Sequence, residues 1–152
     1  MKVRMEFEDN LIEDEIIIKC KSMTGTIQKI QESILNITKE VPKLSFYKED
    51  KEYYLQLDDI IFFETSDSNI YAHTADDVYF TQYRLYELEE MLPKNFIRAS
   101  KSAIINLNKI YSINRSLASS NLVQFYKSHK QVYISRYYYK EVKAKLGERR
   151  IK

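Results

Sequence analysis

Glycine occurs at only two positions in this 152-residue chain, 25 and 147, and that scarcity removes several chemistries at once. Neither a phosphate-cradling P-loop nor a dinucleotide fingerprint can be built without closely spaced glycines. A single cysteine, Cys20, leaves no intramolecular disulfide and no multi-cysteine metal site. It fits a reducing compartment, and the expectation for it is a small buried apolar residue. The two histidines, His73 and His129, stand far apart and form no HxxxH or HExxH spacing. His73 falls inside an expected strand, where a packed or hydrogen-bonded ring is the simpler reading. The adjacent acids Asp58-Asp59 and Asp76-Asp77 would point to opposite faces of a strand, so neither pair converges on a substrate. These absences point away from an enzyme and from any metal, cofactor or small-molecule substrate. No apolar run approaches the roughly 18 residues of a membrane span. The N-terminal Met1 to Glu6 lacks the apolar core of a signal peptide, so the expected location is cytoplasmic.

What the chain does contain is sorted charge. Residues 94–152 hold 14 Lys/Arg and 2 Asp/Glu, whereas residues 44–93 hold 3 and 12. Residues 1–43 hold 7 and 8, so the formal net charge of +2 hides the pattern. A stretch so basic calls for an anionic partner or for internal pairing, and nucleic acid is the first candidate.

Periodicity divides the chain near Pro42. Val3, Met5 and Phe7 alternate with charged residues, which predicts a half-buried strand, and Ile16 to Cys20 predicts a second. Ile27, Ile30, Ile34 and Ile37 then fall on one helical face, starting near Thr24-Gly25-Thr26 and stopping before Pro42. Residues 1–43 thus read as a β-β-α extension. It is too small to stand alone, so its helix should dock on the rest of the chain or on a second copy, and a homodimer is expected. Residues 44–152 read as a separate, mainly β domain. Expected strands are 44–47, 53–57, 60–64, 70–74, 78–83, 96–99, 103–105, 110–114, 122–126 and 132–134. A short helix over Leu85, Leu88 and Leu92 interrupts them. A last helix runs from about Arg136 to Leu146, with Tyr139, Val142 and Leu146 as its apolar stripe and Gly147 placed to end it.

Three places could meet an anion. Arg136, Lys140 and Lys143 form one stripe on the last helix, and Ser135 stands before it as a natural N-cap. Arg98, Ser100, Lys101 and Ser102 cluster between two expected strands, where hydroxyls suit phosphate oxygens and Lys101 suits a guanine edge or a phosphate. The third place is the polar loop Thr65 to Asn69.

In this order, the three places resemble the LytTR family of bacterial DNA-binding domains over roughly residues 44–146. The likeness is carried by Asp59 to Glu64 followed by Asn69 to Thr74, by the helix Leu85 to Leu92, and by two more specific blocks. One is Phe96-Ile97-Arg98-Ala99-Ser100-Lys101-Ser102-Ala103-Ile104-Ile105-Asn106; the other is Tyr133-Ile134-Ser135-Arg136-Tyr137. The resemblance implies an α+β fold, an elongated arrangement of small antiparallel sheets with short helices. It implies a transcriptional regulator that puts loops, rather than a recognition helix, into the major groove of double-stranded DNA. By position, Lys101, Arg136, Ser68 and Asn69 would contact bases. Arg98, Ser100, Ser102, Ser135, Lys140 and Lys143 would face phosphates or support the others. Asn106 reads better as the cap of a turn.

Residues 1–43 look like the extension of stand-alone members, with no room for a receiver domain, and such members are often restrained by a small membrane protein. Two departures stand out. The hairpin Tyr126 to Lys130 lacks the usual Asn-Gly or Asp-Gly, and Ala103 occupies a place where an aromatic is common. Two other readings compete. One is an RNA-binding β domain stacking bases on Tyr137-Tyr138-Tyr139. The other is a basic module for a protein or membrane surface. On the DNA reading, the acids of 44–93 should lie mainly on the face turned away from the nucleic acid.

Overall fold

The computed structural model describes residues 1–38, 43–114 and 120–150. It divides into two units, Met1–Lys39 and Glu40–Lys152.

In the first unit, α1 spans Gly25–Thr38. Thr24 caps it, its Oγ1 accepting from the Ile27 N–H at 3.3 Å. Ile27, Ile30 and Ile34 are half-buried, but Ile37 is exposed. Pro42 lies outside the described residues. The two expected strands do not form: residues 3–7 and 16–20 carry no ladder. Val3, Met5 and Phe7 are each more than three-quarters exposed. An isolated two-stranded hairpin is marginal in water, and the unit offers no third strand to stabilise one. Cys20 is exposed as well, contrary to the expectation of burial.

The second unit is α+β, as expected. A seven-stranded antiparallel sheet has the order β2-β1-β5-β4-β3-β7-β6, and a three-stranded sheet has the order β10-β9-β8. In chain order the strands are β1 (Phe46–Lys48), β2 (Lys51–Tyr53), β3 (Ile60–Ser66), β4 (Asn69–Thr74), β5 (Val78–Thr81), β6 (Phe96–Ser100), β7 (Ala103–Asn106), β8 (Ile110–Asn114), β9 (Ser120–Phe125) and β10 (Gln131–Ser135). Helix α2 (Leu85–Met91) lies between β5 and β6, and α3 (Arg136–Arg150) follows β10. The first hairpin is displaced from its expected position. Glu49 takes a left-handed φ of 55°, so Lys48 pairs with Lys51 across a two-residue turn. Gly147 does not end α3, which continues to Arg150; no glycine here has a positive φ, so the expected left-handed stop is not used. None of the described helices is long and apolar enough to cross a membrane.

The seven-stranded sheet is covered on both faces. Ile61, Phe62, Ile97 and Ile105 pack with Val123, Phe125 and Ile134 of the small sheet and with Val142 of α3. On the other face Ile60, Phe63, Ile70 and Ile104 pack with Leu85, Leu88 and Leu92 around α2. Strand β3 therefore reads as an unbroken apolar run, Ile60 to Phe63, as a strand buried on both faces should. A register shift between Ile60 and Phe62 lets the neighbours Ile61 and Phe62 serve one core while Ile60 and Phe63 serve the other. Each such side chain contributes about 1.5–3 kcal/mol when fully buried.

Candidate nucleic-acid interface

Strand direction decides which loops meet. β3 and β6 run toward one edge of the large sheet, and β4 and β7 return from it, so the β3–β4 and β6–β7 turns lie side by side. The Thr65 N–H donates to the Ser102 carbonyl at 2.8 Å and ties the two turns together. A groove of about 420 Å³, lined among others by Glu64, Ser100, Ser102, Tyr133 and Ser135, joins the β6–β7 turn to β10, which leads into α3. The three places singled out in the sequence are thus contiguous on one edge.

The β3–β4 turn is made without glycine. Asp67 and Ser68 both have positive φ, 49° and 66°, the type I′ pattern that suits the twist of a two-residue hairpin. Asp tolerates this conformation better than most residues, and a β-carbon there still carries strain. Ser68 and Asn69 are exposed at the tip. They share a small cleft of about 230 Å³ with Gln82 and Arg84. Arg84 escaped the sequence reading because it is a lone cation in an acidic stretch. Only the β4–β5 register, which sets Ile70 opposite Thr81, brings it beside Asn69.

The β6–β7 turn is built around Arg98. Its Nε donates to the Ser100 carbonyl at 2.9 Å and Nη2 to the Lys101 carbonyl at 3.0 Å, while Nη1 lies 3.3 Å from Glu89 of α2. Its side chain is only 17% exposed, which makes it a brace for the turn rather than an outward-facing cation. The Ser100 hydroxyl accepts from the Ser102 N–H at 3.2 Å and lies 3.3 Å from the Ser102 hydroxyl. Lys101 projects from this hydrogen-bonded turn, exposed, with no ion-pair partner among the described residues.

Helix α3 begins directly at Arg136, which is exposed, as are Lys140 and Lys143 on the same stripe. The opposite stripe packs inward: Val142 is fully buried, and Tyr138, Tyr139 and Leu146 lie against the first core. Of the Tyr137-Tyr138-Tyr139 run only Tyr137 is exposed, so the run is not a stacking platform. Ser135 is half-buried at the end of β10.

Below the edge sits His73. Its ring stacks on Phe62 with centroids 4.1 Å apart, and Nε2 lies 2.8 Å from Glu64 Oε1. Nδ1 is buried without a partner among the described residues. A carboxylate only accepts, so the contact favours the tautomer that carries its proton on Nε2 and donates to Glu64. Burial accordingly pushes the imidazole below its ordinary value and outweighs the upward pull of Glu64, with Lys130 adding to the downward push.

Two cations at the opposite edge are of a different kind. The Lys130 ammonium donates to the carbonyls of Thr74 and Asp77, and the Ser128 hydroxyl donates to the Ala75 carbonyl at 2.8 Å. Lys48 pairs with the Asp77 carboxylate. Lys127 takes a φ of 57°, which makes the β9–β10 turn without Asn-Gly. Asn106, fully buried, donates from Nδ2 to the Ile60 carbonyl at 2.8 Å and accepts at Oδ1 from Asn95 Nδ2 and the Asn108 N–H. That is the turn-capping role its sequence position suggested. Asp58, Asp59, Asp76 and Asp77 lie at this edge, but Asp67 stands at the tip of the first, so the acids are not confined to one side.

Residues 50–147 match the LytTr DNA-binding domain family. Over 149 residues the chain is 32% identical to an uncharacterized HTH-type transcriptional regulator of Staphylococcus aureus strain NCTC 8325 / PS 47, covering 97% of this chain and 99% of that protein. A counterpart in strain bovine RF122 / ET3-1 is 33% identical over 150 residues, with the same coverage of both chains. A solved LytTr DNA-binding domain from Bacillus cereus superposes with a TM-score of 0.64 at 26% identity, covering 68% of this chain and 95% of that one. Here strands separate every pair of described helices, so no helix-turn-helix occurs among the described residues. With more than half of its residues matched, this chain belongs to the LytTr DNA-binding domain family.

Proposed function

We propose that the chain is a sequence-specific, double-stranded DNA-binding transcriptional regulator whose turn edge enters the major groove. The observation that carries this reading is the pairing state of the cations. Lys101 and Arg136 stand exposed and without ion-pair partners among the described residues on an edge studded with Ser68, Asn69, Ser100 and Ser102. Base edges in the major groove offer acceptors to such side chains, and Lys or Arg on guanine is the commonest specific contact. On this reading Lys101, Arg136, Ser68 and Asn69 read bases. Ser102, Ser135, Lys140 and Lys143 meet phosphates or support the readers, and Arg98 and Ser100 hold the Lys101 turn in shape. Catalysis has no part in it, and the site of action is the cytoplasm.

Arg136→Ala is the direct test. It should cost about 1–3 kcal/mol on the preferred duplex and relax preference at one base pair. Lys143→Ala should instead weaken all duplexes alike and lower the salt slope by about 1. A gel-shift panel in which Arg136→Ala leaves specific binding intact removes Arg136 from the readers.

A homodimer joined through residues 1–43 belongs to the same reading. It is supported by the exposed apolar side chains Val3, Met5, Phe7, Ile12 and Ile37. A monomer in light scattering at working concentration speaks against it. Restraint by a small membrane protein rests on family likeness alone.

A further inference from the structure

Glu64 stands where a DNA-binding edge should not want it. Among the described residues it is the one charged side chain lining the groove that joins the β6–β7 turn to β10, among Ser100, Ser102, Tyr133 and Ser135. A carboxylate repels phosphate, so in this position it weakens any purely electrostatic hold on nucleic acid. Its surroundings nevertheless fix it. Strand β3 sets it opposite Ala103 and Tyr71, and His73 Nε2 holds Oε1 at 2.8 Å. His73 is itself clamped by the Phe62 ring and buried, with the tautomer that donates from Nε2 favoured. The Glu64 side chain remains 41% exposed, so the carboxylate is not sealed inside. An ionised carboxylate offers acceptors only. In the major groove the matching partners are the amino groups of cytosine N4 and adenine N6, and Glu accepting from cytosine N4 is an established pairing chemistry.

We infer that Glu64 is a specificity-determining residue: a His73-oriented acceptor that selects an amino-bearing base in the groove between the Lys101 turn and Arg136. The inference rests on the DNA-binding reading above. It adds a negative reader to the positive ones. An acceptor there favours cytosine or adenine and disfavours guanine O6 or thymine O4, which would face it with like partial charge. Repulsion from phosphate then becomes useful, since it lowers binding to non-cognate duplexes.

Selection of bound sequences from a random duplex pool tests this, using the full chain and its Glu64→Gln and His73→Phe variants. Glu64→Gln keeps the shape, and its carbonyl can still accept from His73 Nε2, but it turns a donor amide toward the groove. The expected result is a change at one base pair, from an amino-bearing to a carbonyl-bearing base, by about fivefold or more, with the other positions unchanged. His73→Phe keeps the stack on Phe62 but releases the carboxylate, and should flatten preference at that same pair without inverting it. If both variants lose thermal stability yet enrich the wild-type motif unchanged, Glu64 is only an internal partner of His73 and the inference falls. A wild-type chain that enriches no motif overturns the DNA reading and this inference together. A wild-type motif altered by Arg136→Ala but not by Glu64→Gln overturns the inference alone.

Discussion

The two edges of the seven-stranded sheet use the same residue types for opposite ends. At the edge holding Thr74 to Asp77, Lys130 and Lys48 are consumed by backbone carbonyls and by Asp77, and Ser128 by the Ala75 carbonyl. At the edge holding the β3–β4 and β6–β7 turns, Arg98 alone is turned inward. Lys101 and Arg136 keep their charge outward. A cation already satisfied inside the protein has little left for a phosphate, whereas an unpaired one brings its full charge to a ligand. The sorting of charge along the chain is thus less informative than the sorting of partners in space. Three of the basic residues of the C-terminal stretch, Lys109, Lys127 and Lys130, sit at the end away from the proposed DNA edge.

The largest expected effect lies at the satisfied edge. Asn106→Ala would leave the buried Ile60 carbonyl and the part-buried Asn95 amide short of a partner, a loss of about 2–4 kcal/mol of stability. Denaturant unfolding measures it, and an unchanged midpoint would show that the edge is not braced as described. Lys130→Ala should cost about 1 kcal/mol, discounted for partial exposure, and leave DNA affinity untouched. A fall in affinity without a fall in melting temperature would erase the distinction between the edges.

Acidification should act next. The folded His73 titrates below its ordinary value of 6.5, so the unfolded chain takes up the proton first. The stability this residue contributes is present above about pH 6.5 and is lost as pH falls from there through the folded value. Melting temperatures between pH 7.5 and 5 should decline, and the His73→Phe variant should decline less. The smallest effect belongs to the turn edge. Ser68→Gly removes a β-carbon from a left-handed position and should raise stability by about 0.5 kcal/mol while lowering sequence preference. A stabilised variant with an unaltered motif would take Ser68 out of the readers.

The resemblance and the periodicities made most of the second unit legible. The string from Phe96 to Asn106 predicts strand, turn and strand, and it folds that way. The spacing of Leu85, Leu88 and Leu92 predicts one helical face, and all three are buried. Arg98 shows where reading stopped. Its basic side chain and its place in the motif suited phosphate or support equally, and only the Ser100, Lys101 and Glu89 contacts distinguish them. Arg84 shows a second limit, since nothing in its local sequence places it beside Asn69. The failure in residues 3–7 and 16–20 has another cause. Alternation states which face of a strand would be apolar, but a strand also needs a neighbour, and period alone does not supply one.

By itself the sequence determined what is local or periodic: the absence of glycine-dependent phosphate loops, the amphipathic helices, the apolar alternation and the motif that marks the family. Only the tertiary structure decided which cations are spent and which are free, that two turns and the β10–α3 junction share one edge, and that Glu64 sits among them held by a buried histidine. Beyond the local bonds of Arg98, those properties depend on contacts between distant residues, such as Glu64 with His73, 9 positions apart, and Lys130 with Thr74, 56 positions apart. Strand order and register create such contacts, and no local pattern of residues encodes them.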